Sequence, residues 1–117
     1  MEYSVLMSVY KKDNPTYLKR SILSMLNQSI LTNEFVIVKD EPITAELQKV
    51  IDFIDKDFPG IIKQLDLKEN VGLGLALNEG LKVCTNEIVA RMDADDISLN
   101  TRCEQQLKEF EKNSGID

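Results

Sequence analysis

Three aspartates crowd into four positions of the segment ARMDADDIS, residues 90–98, directly after an apolar stretch. Side chains two residues apart in an extended segment point the same way, so Asp93 and Asp95 can converge. Like charges repel most strongly where water is scarce, so a cation is expected to offset them. Mg²⁺ and Mn²⁺ favour oxygen ligands, and Mg²⁺ usually combines one or two carboxylates with substrate phosphates. The spacing therefore predicts a divalent-metal site suited to a diphosphate.

Two other interpretations compete with the metal site. Aspartates after a strand are also typical of a solvated loop and a helix N-terminus, where they favour the helix dipole. An EF-hand loop is the second, because Asp93, Asp95 and Glu104 occupy its positions one, three and twelve. The EF-hand fails because Ser98 stands in place of the required glycine, and a predicted strand precedes the loop where a helix is needed.

The composition limits the class of protein. A chain of 117 residues has the size of one domain with a real core. Twenty acidic residues against fourteen basic ones give a net charge of -6, which disfavours nucleic acid as a partner. The absence of histidine excludes Ser-His-Asp and Cys-His nucleophilic schemes and every histidine metal site. Chemistry in this chain must therefore use carboxylates, amides and hydroxyls.

The cysteines and the hydropathy suggest a cellular location. Cys84 and Cys103 form no CxxC pair and occupy apolar helical positions, so we expect reduced thiols in or near the core. No segment approaches the roughly 20 apolar residues of a membrane span. A cytoplasmic location is expected, with the inner face of a membrane as a compatible place of work for a full-length protein.

Strand-like and helix-like segments alternate four times. Strands are predicted at residues 3–9, 34–38, 61–67 and 87–92, and helices at 15–27, 45–58, 73–84 and from 102 onward. The alternation predicts a doubly wound, mostly parallel sheet with helices on both faces. Ligands of such sheets bind at the carboxyl ends of the strands, where Asp40 and the cluster at 93–96 fall.

The whole chain resembles the N-terminal, nucleotide-binding half of a family 2 glycosyltransferase of the GT-A fold. The matching segments follow the family's order, namely SVLMSVY, LNQS, FVIVKDE, NVGLGLALNEGL and ARMDADDIS with Arg102 soon after. The resemblance implies that residues 1–117 form the nucleotide-sugar-binding part of a truncated GT-A domain. It also implies that the acceptor-binding half and its catalytic base are absent, so no catalytic residue is assigned.

Residue roles follow from the resemblance. Asp40 matches the acidic residue that contacts the base, typically a uracil imide, and Ser8 and Tyr10 match positions that line the nucleotide pocket. Asp93 matches the first acid of the DxD motif, which usually contacts the ribose or sugar. From the residues alone, Asp40 could instead cap the turn that follows it, Tyr10 could pack on the first helix and Ser8 could be an ordinary strand hydroxyl.

The metal role falls on Asp95, the last acid of DxD, and Asp96 is assigned a share of it, with Mn²⁺ or Mg²⁺ as the cofactor. Three departures from the family pattern leave donor identity less defined than donor class. Lys39 replaces an acid, Leu77 replaces an arginine, and Asn100 replaces a proline.

The resemblance implies a metal-dependent, inverting glycosyltransferase that takes a nucleotide-diphosphate sugar, with a UDP-sugar favoured. Its acceptor would be a glycan or a lipid-linked acceptor bound by the missing half, so the isolated chain is expected to bind donor weakly and transfer sugar poorly. Two alternatives stay open from the residues, a receiver-like Mg²⁺-binding signalling domain and a non-catalytic interaction domain. Receivers place acids after the first strand, where this chain has Ser8, Val9 and Tyr10.

Overall fold

The alternation of strands and helices is present as predicted. A computed structural model describes residues 2–94 and 101–113. In chain order the elements are β1 (Ser4–Val9), α1 (Pro15–Leu26), β2 (Glu34–Lys39), α2 (Ala45–Asp57), β3 (Ile62–Asp66), α3 (Leu73–Val83), β4 (Val89–Asp93) and α4 (Arg102–Asn113). Each lies within a few residues of its predicted range.

The four strands form one parallel sheet in the order β3-β2-β1-β4. The chain moves outward from β1 through β2 to β3 and then returns to the other side of β1, so the order reverses between β1 and β4. A receiver domain has the flavodoxin-like order 2-1-3-4-5, in which β3 adjoins β1. Because β3 pairs with β2 here, the receiver alternative is wrong.

Helices cover both faces of the sheet, which confirms the doubly wound prediction. On one face, side chains of β1 and β2 such as Val5, Met7 and Phe35 pack with the apolar residues of α1, α2 and α4. On the other face, Leu6 and Val38 belong to a smaller cluster with residues of α3. Alternating side chains of one strand thus serve two separate cores, which explains why β2 is apolar throughout its centre.

Helix α3 approaches the sheet closely at Gly80. A Cβ atom at this position would collide with side-chain methyl groups of Leu6 and Val38. Because both of these side chains are fully buried, a larger residue would force either them or the helix to shift.

Side chains cap the amino ends of the first two helices. Asn14 accepts hydrogen bonds from the amides of Thr16 at 2.9 Å and Tyr17 at 3.2 Å, with Pro15 as the first residue of α1. Thr44 Oγ1 accepts from the Leu47 amide at 3.2 Å and caps α2. These caps satisfy amides that have no partner inside the helix.

A buried carboxylate organises the opposite edge of the sheet, at the amino ends of the strands. Glu34 is 2% exposed and accepts hydrogen bonds from Ser4 Oγ at 2.6 Å, the Thr85 amide at 2.7 Å and Lys63 Nζ. Burial alone would raise the pKa of Glu34, but the hydrogen bonds from Lys63, Ser4 and Thr85 outweigh it and lower the pKa to about 2. The charged Glu34 therefore ties β1, β3 and the loop after α3 together.

Both cysteines are free thiols, in agreement with the expectation from their spacing. Cys103 is buried on α4 and Cys84 is half-buried at the end of α3. Burial raises the pKa of the Cys84 thiol. Among residues 2–94 and 101–113, no helix is both long and apolar enough to cross a membrane.

Candidate functional site

A cleft of about 420 Å³ opens at the carboxyl ends of the strands. It brings together four residues that the sequence predicted, namely Ser8, Tyr10, Asp40 and Asp93. Five further lining residues were not predicted to contact a ligand: Asp13, Asn70, Gly72, Leu73 and Ala94. The cleft thus lies where β1 and β4 adjoin and the strand order reverses, which is where open α/β sheets bind their ligands.

The strand register places the predicted residues on one face. Ser8 follows Leu6 by two positions and so points to the α3 side of the sheet. Ser8 lies directly opposite Asp93 in the β1–β4 pair and opposite Val38 in the β1–β2 pair. Asp40 follows Val38 by two, and its amide donates to the Val9 carbonyl at 3.0 Å, which continues the ladder past the end of β2.

Asp40 is a buried carboxylate with a defined orientation. It is 4% exposed, and its Oδ1 accepts a hydrogen bond from the Val71 amide at 3.0 Å. This contact joins Asp40 to the loop before α3. An ionised carboxylate offers about four acceptor positions, so one amide leaves capacity for a ligand donor.

The loop that begins α3 forms the wall opposite the strands. Asn70 Oδ1 accepts from the Gly72 amide at 2.8 Å and forms a turn of its own backbone. Gly72 has a φ of 86° and precedes the first residue of α3, in agreement with the predicted opening of this helix. Together with the Asp40 contact to Val71, this turn fixes the backbone next to Leu73.

The loop after β1 is closed by Asp13. Its Oδ2 accepts from the Tyr10 amide at 2.7 Å, and its own amide donates to the Tyr10 carbonyl at 2.9 Å. The sequence contained a signal for this turn, because an aspartate directly before Asn14 and Pro15 is typical of a turn that precedes a helix. The half-buried Tyr10 is thereby held at the border of the cleft.

The cleft carries negative charge. Three carboxylates line it, those of Asp13, Asp40 and Asp93, and in the part of the chain that the structure describes no lysine or arginine is among its lining residues. Asp93 is exposed at the end of β4. An anionic ligand would require a cation here, and hard divalent ions suit such an oxygen-rich set of donors. The oxygen donors of the lining are thus of the chemical type that Mg²⁺ and Mn²⁺ prefer.

The two residues predicted to bind the metal, Asp95 and Asp96, lie outside the described residues. Within residues 2–94 and 101–113, no group of three or more histidine, cysteine or acidic side chains could hold a metal ion. Asp93, the neighbour of the predicted pair, is the acid of the cluster that the structure places in the cleft.

The LNQS segment and Arg102 attach α4 to the rest of the domain. Gln28 is 3% exposed, and its Oε1 accepts from the Cys103 amide at 2.9 Å while its Nε2 donates to the Ser24 carbonyl at 2.9 Å. Arg102 Nη2 donates to the Arg91 carbonyl at 2.8 Å. These motif residues thus join α4 to α1 and β4, and they position the start of the helix that follows the acidic segment.

Two of the departures from the family pattern lie away from the cleft lining. Lys39 faces α2 and β3, where its Nζ contacts Gln48 Oε1 at 2.8 Å and Asp66 Oδ1 at 2.9 Å. Leu77 packs with the α3 cluster. Asn100 lies outside the described residues.

The fold and the cleft define a doubly wound α/β domain with a carboxylate-lined site at its topological switch point. The chain belongs to the family described as Glycosyl transferase family 2, which matches residues 4–116. It is 37% identical over 115 residues to the Escherichia coli UDP-Gal:alpha-D-GlcNAc-diphosphoundecaprenol beta-1,3-galactosyltransferase, covering 98% of this chain and 41% of that protein. It is 40% identical over 114 residues to the amylovoran biosynthesis glycosyltransferase AmsE of Erwinia amylovora, covering 97% and 42%. The chain thus spans about two-fifths of the length of these relatives.

Solved structures share the fold. Residues 1–349 of S. aureus TarS, in complex with UDP, give a TM-score of 0.80 at 22% identity and cover 97% of this chain and 33% of that chain. The Pyrobaculum calidifontis mannosyltransferase PcManGT, in complex with GDP-Man and Mn²⁺, gives a TM-score of 0.71 at 21% identity and covers 82% and 28%. These similarities establish the GT-A type of fold for this chain.

Proposed function

We propose that this chain is the donor-binding part of a metal-dependent, inverting glycosyltransferase that uses a UDP-sugar. The observation that carries the proposal is the assembly of Ser8, Tyr10, Asp40 and Asp93 around one cleft at the switch point of the sheet. The family supports the reaction class, and the UDP complex of TarS together with the UDP-Gal named for the E. coli relative supports the donor.

Asp40 would recognise the base. A buried carboxylate accepts hydrogen bonds only, so it favours a base that presents an imide N–H, as uracil does, over cytosine, which presents a ring nitrogen acceptor at that position. The Val71 amide donates to one carboxylate oxygen and so orients the group. Tyr10 would border the base, and Ser8 would offer a hydroxyl to the nucleotide from the floor of the cleft.

The diphosphate would bind with a divalent cation. Because the described lining of the cleft is acidic, a diphosphate without a cation would meet net repulsion. Asp93 would contact the ribose or sugar, and Asp95 and Asp96 would hold Mn²⁺ or Mg²⁺, as the family resemblance implies. When bound, the ion supplies positive charge to the diphosphate as it departs.

The transfer itself needs a partner region. In an inverting reaction the acceptor oxygen forms a bond to the anomeric carbon as the carbon–oxygen bond to the diphosphate breaks, and a carboxylate base takes the acceptor proton. We assign the base and the acceptor site to the part of the full-length protein beyond this chain. The acceptor would be a glycan or a lipid-linked sugar, and the GlcNAc-diphosphoundecaprenol in the name of the E. coli relative supports the second. We place the reaction in polysaccharide biosynthesis at the cytoplasmic face of a membrane.

Calorimetric titration of UDP, GDP and dTDP with and without Mn²⁺ tests the proposal. We expect UDP to bind in the presence of Mn²⁺ with the highest affinity of the three, and the Asp95→Ala variant to lose the effect of Mn²⁺. A chain that is indifferent to all three nucleotides would instead support the non-catalytic interaction domain.

A further inference from the structure

An ion pair connects the two loops that border the Tyr10 and Asp40 side of the cleft. Lys11 Nζ lies 3.1 Å from Glu41 Oε1. Lys11 directly follows Tyr10 at the end of β1, and Glu41 directly follows Asp40 at the end of β2. The ion pair is thus formed by the residues next in sequence to Tyr10 and Asp40, which the proposed function places at the base.

The backbone at Glu41 is in an unusual conformation. Its φ is 68°, in the left-handed region, where it is the only residue other than glycine among the described residues. A glutamate there is unfavourable and persists only when its surroundings hold it, and such residues concentrate at ligand sites. The Asp40 amide bond to the Val9 carbonyl and the ion pair to Lys11 hold the backbone and the side chain of this turn.

Each of the two loops is also held by a hydrogen bond of its own. Asp13 closes the loop after β1 through the Tyr10 amide, and the Asp40 carboxylate is fastened to Val71. The Lys11–Glu41 pair joins the side chains of the first loop to those of the second. It contributes little to the core, because the Lys11 side chain is 48% exposed.

We propose that the Lys11–Glu41 ion pair is a clamp that sets the spacing between Tyr10 and Asp40 and thereby determines the affinity for the nucleobase. This inference rests on the proposed function. Lys11 and Glu41 act as positioning residues through Tyr10 and Asp40, and neither is among the residues that line the cleft. The clamp adds no net charge to the site, since its two charges cancel.

The direction in which Glu41→Gln changes the affinity for UDP distinguishes a clamp from a simple effect of charge. Glu41→Gln removes a negative charge near an acidic cleft, so electrostatics alone would strengthen the binding of UDP with Mn²⁺. Loss of the clamp would instead weaken the binding of UDP. Uridine provides a second separation, because it is neutral and its affinity would respond to the spacing of the loops and not to a change in net charge.

The experiment compares three variants with the parent: Lys11→Met, Glu41→Gln and the double variant. The affinity for uridine is measured by NMR titration, and the affinity for UDP in the presence of Mn²⁺ by calorimetry. We expect each single variant to bind uridine and UDP with roughly two- to fivefold lower affinity, which matches the free energy of an exposed ion pair. The double variant should bind with no lower affinity than the weaker-binding single variant, because each single substitution already removes the whole ion pair. Lys12→Met is the matched control, since it removes an adjacent exposed charge outside the pair, and its uridine affinity should equal that of the parent. Glu41→Asn, which tolerates a left-handed backbone, replaces Glu41→Gln if that variant does not fold.

Unchanged uridine affinity in both single variants, with parental UDP binding intact, would overturn the clamp and leave the proposed function standing. Tighter UDP binding by Glu41→Gln would also overturn it. A parental chain that binds neither uridine nor UDP would overturn the proposed function itself and the nucleobase role of the clamp with it.

Discussion

Ser8 and Asp93 lie directly opposite each other in the parallel pair of β1 and β4. Each is near the carboxyl end of its strand, and both side chains line the same cleft. This pairing places a hydroxyl donor beside an exposed carboxylate where the strand order reverses. The contact between the first and fourth strands therefore builds the floor of the proposed donor site.

The Asp93 carboxylate should be needed for binding the ribose of the nucleotide. We expect Asp93→Asn to weaken UDP binding in Mn²⁺ by about tenfold or more, the scale of a lost charged hydrogen bond, and to weaken uridine as well, because uridine keeps the ribose that Asp93 is assigned to contact. Isothermal titration calorimetry measures both. Asp66→Asn is the matched control, because Asp66 ends β3 at the same edge of the sheet but pairs with Lys39 outside the cleft lining. Equal UDP affinities of Asp93→Asn and the parent would contradict the assignment.

Asp40 should determine the choice of base. In Asp40→Asn, the amide oxygen can still accept the Val71 hydrogen bond, but the charge is lost and an amide group replaces one carboxylate oxygen. We expect uridine affinity to fall about tenfold and the preference of UDP over CDP to shrink, with the free energy of unfolding lowered by no more than about 2 kcal/mol. Asp57→Asn, at an exposed position of α2, provides the control for charge. Retained discrimination between UDP and CDP would show that Asp40 does not contact the base.

Gly80 should be required for the packing of α3. We expect Gly80→Ala to lower the free energy of unfolding by about 1–3 kcal/mol, because its methyl group collides with Leu6 and Val38. Gly74→Ala is the matched control, since no atom lies within 4 Å of a Cβ placed there. Its stability should be unchanged or raised by up to about 1 kcal/mol through helix propensity. Denaturant titration measures both changes, and a neutral Gly80→Ala would mean that α3 sits farther from the sheet.

Glu34 should make stability depend on acid pH. Its pKa is lowered from 4.5 to about 2 in the folded chain, so protonation favours the unfolded state. The contribution is complete above pH 4.5 and is lost as the pH falls from there toward 2. We expect Glu34→Gln to lower the free energy of unfolding at pH 7 by about 1–3 kcal/mol, the cost of disrupting a buried hydrogen-bonded group.

The difference between Glu34→Gln and the parent should narrow as the pH approaches 2.5, because Glu34 of the unfolded parent is then protonated and most of the stability linked to the lowered pKa is lost. Glu79→Gln serves as the control, since Glu79 makes an exposed ion pair with Lys82 on α3. Exposed pairs contribute roughly 0–1 kcal/mol, so this variant should follow the parent at every pH. A constant difference between Glu34→Gln and the parent down to pH 2.5 would contradict the lowered pKa.

The sequence predicted the elements and the place of the cleft well, because both follow from periodic patterns. Continuous apolar runs mark the strands, and helical spacing of apolar residues together with the caps at Asn14 and Thr44 marks the helices. Parallel strands bring their carboxyl ends to one edge. Asp40 and Asp93 could therefore be assigned to the same edge without coordinates. Even Lys39 follows this rule, since it shares the face of Ile37 and points away from the cleft.

The contributions of Asp13, Asn70 and Gly80 could not be derived in the same way. Asp13 and Asn70 bind backbone amides within tight loops, and such contacts depend on dihedral angles that no periodicity encodes. Gly80 carried a weak signal, because glycine inside a helical pattern suggests a close approach of neighbouring elements. The Val71 partner of Asp40 lies far away in the sequence, so only the folded chain reveals it.

The pairing of β1 with β4 also has a kinetic consequence. Contacts between distant parts of a chain form late, since the entropy of closing a long loop must be lost before they are made. The first three strands and their helices can collapse as a local unit, whereas the floor of the cleft requires the last strand to arrive beside the first. Affinity for nucleotide would then report the completion of folding, and a bound donor would slow the reopening of this final strand.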